Sequence, residues 1–203
     1  SCLVGSEMCI RDRDYSESGY FIFNTLLFLI GGFLVMWMAA GFAMLETGLV
    51  RSKNASTQLL KNVALFSLAS IAYFIVGFNL MYPGDGWIID GWMGGFSLTG
   101  LEPAGVGADG VDLTYASVGS DFFFQLMFCA ATASIVSGTV AERVKLWPFL
   151  IFTIVLTGIF YPISASWQWG GGWLSEAGFS DFAGSTVVHA TGAAAALAGA
   201  MVI

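Results

Sequence analysis

Five long apolar stretches constrain the fold of this chain more than any other feature. Each can cross about 30 Å of hydrocarbon at a helical rise of roughly 1.5 Å per residue. Charged residues make up 10% of the 203 residues, against roughly 25% in soluble domains. The sequence therefore predicts an all-α integral membrane protein with transmembrane helices at approximately 20–45, 59–81, 122–140, 147–166 and 182–203.

Basic residues are confined to two alternate connections between these stretches. The connections at 82–121 and after 166 contain acidic residues but no lysine or arginine. The positive-inside rule assigns the basic connections to the cytoplasm, which predicts an N-terminus outside. The connection at 82–121 is also rich in Gly and Trp, which indicates ordered turns packed on the outer face. The lysines and arginines beyond residue 13 are Arg51, Lys53, Lys61, Arg143 and Lys145.

The two ends of the chain differ from the rest. Residues 1–13 lack the apolar core that follows a basic start in a signal peptide, and they look like translated sequencing-adapter sequence. We predict a non-native leader at 1–13 and one membrane domain at 14–203. The fifth apolar stretch reaches Ile203 without a stop signal, so we expect further spans beyond it.

Three aromatic residues are candidates for a binding site. Phe124 and Phe128 lie four residues apart and share one helix face, either as packed or lipid-facing aromatics or as a hydrophobic gate. Trp169 begins the run Trp-Gly-Gly-Gly at the outer end of the fourth stretch. Its side chain is either an anchor at the membrane interface or the wall of a binding site, where the indole face attracts ammonium-like cations by cation–π interaction.

Three ionisable residues lie near or within the apolar stretches. Asp181 precedes the fifth stretch, where it can cap the helix or support a cation site. His189 is the one histidine of the chain and lies inside an apolar segment. It is either a core histidine bonded to a helix carbonyl or a group that passes a proton or small amine through a pore. Glu46, near the inner end of the first stretch, is predicted to pair with Lys61 or with a cation of the adjacent connection.

Several functional classes do not fit the sequence. A net charge of −7 argues against nucleic-acid binding, which needs a basic face. The sequence has no H-E-x-x-H or G-x-S-x-G motif and no cluster of metal-ligand spacing, and one histidine is a poor supply of haem ligands. We therefore predict a protein that is not an enzyme and that has no cofactor or metal site.

Five motifs in order along the chain resemble the ammonium transporter family (the Amt/Mep/Rh group). Together they cover essentially residues 20–203, and the last is close to the family signature. They are Gly41-Phe-Ala-Met-Leu-Glu-Thr-Gly-Leu-Val-Arg-Ser-Lys-Asn54, Phe124-Gln-Leu-Met-Phe128, Ala141-Glu-Arg143, Trp169-Gly-Gly-Gly172 and Asp181-Phe-Ala-Gly-Ser-Thr-Val-Val-His189.

The resemblance implies a homotrimer of eleven-helix subunits in the plasma or inner membrane, each with its own pore for ammonium/ammonia and nitrogen uptake. Trp169 would be the cation–π wall of an outer vestibule, and Phe124 and Phe128 its aromatic lining and gate. Asp181 would support the recruitment site, and His189 would be the first of two pore histidines that relay the proton. Methylammonium as substrate and a cytoplasmic regulatory protein stay open. The alternative is an ammonium sensor that uses the same membrane domain to control a signalling domain.

Overall fold

The chain folds into a bundle of long apolar helices, which we call spans 1 to 5. The computed structural model describes residues 3–97 and 115–203, with side chains from residue 19 onward. Within these residues, five helices are long and apolar enough to cross a membrane, which confirms the predicted number. Spans 1 to 5 are Gly19–Leu49, Ser52–Met81, Val118–Thr139, Leu146–Ser166 and Ser185–Val202.

The boundaries of several spans differ from the predicted ones, since span 1 extends to Leu49 and span 3 begins at Val118, and two further differences have a clear physical reason. Span 2 begins at Ser52 rather than at residue 59, because its first turns bury polar side chains against Glu46 of span 1. Span 5 begins at Ser185 rather than at residue 182, because the Asp181 carboxylate binds the first free N–H groups of the helix. Span 1 is part of a longer helix, Leu3–Leu49. The side chains of the predicted leader lie outside the described residues, so that boundary stays a prediction.

Span 3 lies at the centre of the bundle and packs against the other four spans. Its most apolar window is 61% buried, whereas that of span 1 is 6% buried and faces outward. Lipid offers no hydrophobic driving force between helices, so close packing through small residues holds such bundles together. Gly32 of span 1 fits this principle, since a Cβ there would come within 2.5 Å of the Phe123 ring.

Three spans contain π-helical segments, a feature often found at functional sites. Spans 2 and 4 pack closely where both are π-helical, because Gly77 leaves room for the carbonyl of Thr157. The segments of span 2 are Ser52–Asn54 (3-10), Ala55–Ala72 (α), Tyr73–Gly77 (π) and Phe78–Met81 (α). Those of span 4 are Leu146–Val155 (α), Leu156–Phe160 (π) and Tyr161–Ser166 (α), and those of span 5 are Ser185–Ala190 (π) and Thr191–Val202 (α).

The connection between spans 2 and 3 contains a small hairpin, which packs against the ends of spans 2 and 4. Strand β1, Trp87–Ile89, pairs antiparallel with β2, Met93–Gly94. The indole of Trp167, just after span 4, donates to the backbone carbonyl of Trp92 in the hairpin at 2.8 Å. The short helix Trp173–Glu176 follows Trp167 along the chain. The prediction of ordered turns is thus confirmed for the described part of this connection. Its acidic residues at positions 102, 109 and 112 lie outside the described residues.

Candidate functional site

The two phenylalanines predicted to share a helix face do so in the first half of span 3. Their ring centroids lie 4.9 Å apart in a T-shaped contact. Phe124 also stacks on Phe28 of span 1 at 5.2 Å. The absence of a side chain at Gly31 lets the Phe124 ring pack closely against span 1. A Cβ at Gly31 would come within 2.8 Å of that ring. Phe28 and Phe124 thus pack one behind the other on one side of Phe128.

Trp169 lies on the other side of Phe128, with 5.6 Å between the ring centroids. Its indole N–H donates to the backbone carbonyl of Asp181 at 2.8 Å, which fixes the orientation of the ring. The indole is half-buried, so part of it stays accessible. The structure thus brings together Phe124, Phe128 and Trp169, and their rings form what we call the aromatic cluster.

The side chain of Asp181 caps span 5 through four hydrogen bonds. Its carboxylate accepts the backbone N–H groups of Gly184, Ser185, Thr186 and Val187 at 2.7–3.0 Å. Burial of the carboxyl acts to raise its pKa, but these four hydrogen bonds outweigh burial and lower the pKa of Asp181 below its usual value. The predicted capping role is therefore confirmed, and the same side chain fixes the loop that carries the partner of Trp169.

His189 lies in the π-helical start of span 5, directly after the loop that contains Asp181 and Gly184. Its Nδ1 lies 3.3 Å from the carbonyl oxygen of Gly184. The tautomer with its proton on Nδ1 can donate to that oxygen, which leaves Nε2 as a proton acceptor. The side chain is exposed on the surface of the described chain. The contact with a helix carbonyl, one of the two roles predicted for His189, is thus present, and it leaves the second nitrogen available for chemistry.

Gly184 joins these residues, although its role was not predicted from the sequence. It donates its N–H to Asp181, its carbonyl faces His189, and a Cβ on it would come within 3.2 Å of the Trp169 ring. Its φ of +78° lies in the left-handed region that favours glycine. A glycine three residues after a capping aspartate is the signal that could have indicated this turn.

We expect Gly184→Ala to destabilise the site by about 1–3 kcal/mol, because alanine adds both a strained φ and a steric clash. The new Cβ would come within 2.7 Å of Val188. Gly171→Ala is the matched control, since Gly171 has a φ of +79° with open space around it. Thermal unfolding in detergent compares the two. Equal losses would show that the close contacts of Gly184 add nothing to backbone strain.

The prediction that Glu46 pairs directly with a cation is wrong. Its Oε2 accepts hydrogen bonds from Gln58, Asn62 and Ser137, all neutral side chains. Lys61 instead donates to the backbone carbonyl of Ser137 at 2.9 Å. The one ion pair between described side chains joins Arg51 and Glu142 at 3.2 Å, at the ends of the two basic connections.

No cluster suited to a metal ion occurs among the described residues, since no three His, Cys, Asp or Glu side chains come together there. The candidate site consists instead of aromatic rings, one carboxylate that caps a helix and one histidine at one end of a bundle of apolar spans. Such a fold and site define a multi-pass membrane protein with an aromatic cluster near a histidine in one of its apolar spans.

Comparison with known proteins identifies the family. The profile of the Ammonium Transporter Family matches residues 26–203. The chain is 44% identical to ammonium transporter Amt2 of Archaeoglobus fulgidus over 185 residues, which cover 86% of the chain and 37% of that protein. A putative ammonium transporter of Synechocystis is 43% identical over 182 residues, 89% of the chain and 39% of the relative. The chain belongs to the Ammonium Transporter Family.

The fold agrees with that family. The crystal structure of Saccharomyces cerevisiae Mep2 superposes with a TM-score of 0.74 at 25% identity, over 89% of this chain and 39% of that one. The chain therefore spans about two fifths of the length of these relatives.

Proposed function

We propose that the protein to which this chain contributes transports ammonium across the cell membrane, as its relatives' names indicate for them. The observation that carries the proposal is the joining of Phe128, Trp169 and Asp181 into one site whose loop also contacts His189 through the Gly184 carbonyl. Each part of this site has a role in the transport of a small cation that can lose its proton.

The aromatic cluster would recruit ammonium at the outer end of the pore. The face of an indole attracts ammonium-like cations by about 2 kcal/mol or more when the cation is desolvated. Trp169 is oriented for this role by its bond to the Asp181 carbonyl. The Asp181 carboxylate holds the loop and adds negative charge nearby. Phe124 and Phe128 would line the vestibule and close it toward the pore.

Below the gate, ammonium would release its proton and pass as ammonia. Moving an intact cation through an apolar pore is very costly, whereas a neutral amine and a separately relayed proton avoid that cost. His189 suits the relay because its Nδ1 faces a fixed carbonyl while Nε2 can accept a proton. The same mechanism rejects potassium and sodium, which have no proton to release.

The contact between the two basic connections supports an orientation with the N-terminus outside. Arg51 and Asn54 of the first basic connection both bind Glu142 of the second. The hydrogen bond from Asn54 and the contacts with Arg51 lower the pKa of Glu142. The basic connections therefore meet at one end of the bundle, which the positive-inside rule assigns to the cytoplasm. The aromatic cluster then faces outside.

Uptake of labelled methylammonium by cells that lack their own ammonium transporters tests the proposal. Because the chain spans about two fifths of its relatives, this and the later transport experiments use a complete transporter that includes it. We expect uptake that unlabelled ammonium blocks and potassium does not. Uptake no higher than in empty cells would contradict transport, and binding without uptake would favour the sensor. A homotrimer and a cytoplasmic regulatory partner are further expectations from the family.

We expect Trp169→Leu to weaken the apparent affinity for ammonium by roughly 30-fold, the equivalent of about 2 kcal/mol of cation–π attraction. The measurement is uptake as a function of ammonium concentration. Trp147→Leu is the matched control, because Trp147 is 75% exposed at the opposite end of span 4. If both variants keep the wild-type affinity, Trp169 is an interfacial anchor rather than part of the site.

A further inference from the structure

The loop that carries Trp169 is rich in glycine, so its local sequence does not hold it in one conformation. Residues 170–172 are all glycine and follow Trp169 directly, and Gly171 has a φ of +79°. Glycine loses more conformational freedom on folding than any other residue. The hydrogen bond from Trp169 to the Asp181 carbonyl orients the indole ring, but the backbone of this loop needs a separate support.

Three indole rings next to the spans hold this loop at both of its ends. Trp92, in the turn of the hairpin, stacks on Trp173 with 4.7 Å between the ring centroids and 10° between the ring planes. It also makes a T-shaped contact with Trp167 at 5.8 Å, and Trp167 lies 6.0 Å from Trp173. Trp167 comes two residues before Trp169, and Trp173 comes four residues after it. We call Trp92, Trp167 and Trp173 the tryptophan clamp.

Hydrogen bonds fasten the clamp and close the loop. The indole N–H of Trp167 donates to the Trp92 carbonyl at 2.8 Å. The backbone N–H of Trp173 donates to the Gly91 carbonyl at 3.0 Å. The Trp167 carbonyl accepts the backbone N–H of Leu174, also at 3.0 Å. The hairpin thus holds both ends of the loop, and these ends also bind each other.

The contact between the hairpin and the loop depends on two glycines. A Cβ at Gly91 would come within 3.1 Å of the Trp173 nitrogen, and a Cβ at Gly172 within 2.6 Å of the Gly91 carbonyl oxygen. Gly91 also has a φ of +67°, in the left-handed region that favours glycine. The two backbones therefore lie in direct contact, which fixes the position of the loop relative to the hairpin.

Trp92 lies outside the core that holds the spans together. It is 49% exposed and lies in the turn between the two strands. Its ring contacts with described residues are those with Trp167 and Trp173. We expect its removal to leave the packing of the five spans intact, so a change in ammonium affinity would arise through the loop.

We propose that Trp92 is a positioning residue of the aromatic cluster, which acts through the tryptophan clamp to hold the Trp169 indole ready to bind ammonium. A loop that is ordered before ammonium arrives does not have to be ordered during binding, which raises the affinity. Trp92 itself does not touch the cation. This inference rests on the proposed transport, in which Trp169 attracts ammonium.

The test is Trp92→Ala in the complete transporter, with uptake measured as a function of ammonium concentration. We expect the concentration for half-maximal uptake to rise by about tenfold, since ordering one mobile aromatic group during binding reduces affinity by up to about that factor. Maximal uptake per molecule should stay near that of the wild type, whereas a misfolded protein would lose maximal uptake instead. Trp92→Phe, which keeps a stacked ring, should recover most of the affinity.

Phe96→Ala is the matched control, because Phe96 is an aromatic residue of the same connection and is 55% exposed. It should transport as wild type. A double variant then separates action through Trp169 from an independent effect. If Trp92 acts through Trp169, Trp92→Ala should add nothing to the affinity loss of Trp169→Leu.

An unchanged half-maximal concentration in Trp92→Ala would overturn the inference, and so would affinity losses that multiply in the double variant. Both results leave the proposed transport intact. If the wild type itself takes up no ammonium, the proposed function fails and this inference fails with it.

Should Trp92→Ala not accumulate, Trp167→Phe replaces it. Phenylalanine keeps an aromatic ring but lacks the N–H that binds the Trp92 carbonyl at 2.8 Å. The half-maximal concentration should then rise by about threefold or more, the equivalent of one hydrogen bond. An unmoved half-maximal concentration in this variant would overturn the inference.

Discussion

Replacing Asp181 with alanine should produce the largest loss of function of any single change around the aromatic cluster. Four backbone N–H groups lose the carboxylate that binds them at 2.7–3.0 Å. Hydrogen bonds to a charged group contribute about 1.5–3 kcal/mol each. Because a factor of ten corresponds to about 1.4 kcal/mol, the loss of one to two such bonds predicts an approximately 100-fold loss of apparent ammonium affinity. Uptake at increasing ammonium concentrations measures this loss.

Glu176→Gln is the matched control for the loss of charge, because Glu176 is an exposed acid in the same connection. It should leave affinity unchanged, which separates capping of span 5 from a general effect of negative charge. Near-wild-type affinity in Asp181→Ala would contradict the supporting role of the carboxylate.

The lowered pKa of Asp181 gives this prediction a pH dependence. Because the pKa in the folded protein lies below that of the unfolded chain, the stabilisation is fully present above the ordinary carboxyl range. It is lost as the pH falls through the lowered folded value. We therefore expect the thermal stability of the wild type to drop in acid, and Asp181→Ala should show a smaller drop over the same range.

His189→Ala should abolish ammonium transport while the protein still folds and assembles. The imidazole makes one long side-chain contact, 3.3 Å from the Gly184 carbonyl, and it is exposed on the described chain, so its removal opens no cavity in the core. Its loss removes the group proposed to accept the proton of ammonium. Uptake of labelled methylammonium measures the effect, and size-exclusion chromatography in detergent measures assembly.

Leu197→Ala provides the control for His189→Ala, since Leu197 lies on the same span and is 63% exposed. It should transport as wild type. Unchanged flux and unchanged rejection of potassium in His189→Ala would show that His189 is only a helix residue bonded to a carbonyl.

The spans, the shared face of Phe124 and Phe128 and the cap of span 5 were predictable from the sequence. Apolar length alone indicated five spans, because a membrane helix must satisfy its backbone internally over a fixed thickness. The spacing of Phe124 and Phe128 indicated a shared face, and the position of Asp181 before an apolar run indicated a cap. These features depend on local sequence, which is why they could be predicted, and the structure confirms them.

The hydrogen-bond partners of Glu46 and the ring contacts around the aromatic cluster were not predictable in the same way. The rotation of span 2 decides whether Glu46 meets Lys61 or the amides of Gln58 and Asn62. Apolar periodicity does not fix that rotation, because span 2 has apolar side chains on its exposed faces, such as Leu60 and Val63, as well as on its packed face. The long side chain of Lys61 donates instead to the Ser137 carbonyl. Likewise, the stacking of Phe28 on Phe124 joins residues far apart in sequence.

The proposed mechanism is tested most directly by current measurements on a complete transporter containing this chain, reconstituted in liposomes. The outer solution is exchanged for ammonium or for potassium at equal concentration, with the wild type and with His189→Ala. The mechanism predicts a saturable current for ammonium, none for potassium, and no ammonium current in His189→Ala. Equal currents for the two cations, or an ammonium current that survives the loss of His189, would contradict it.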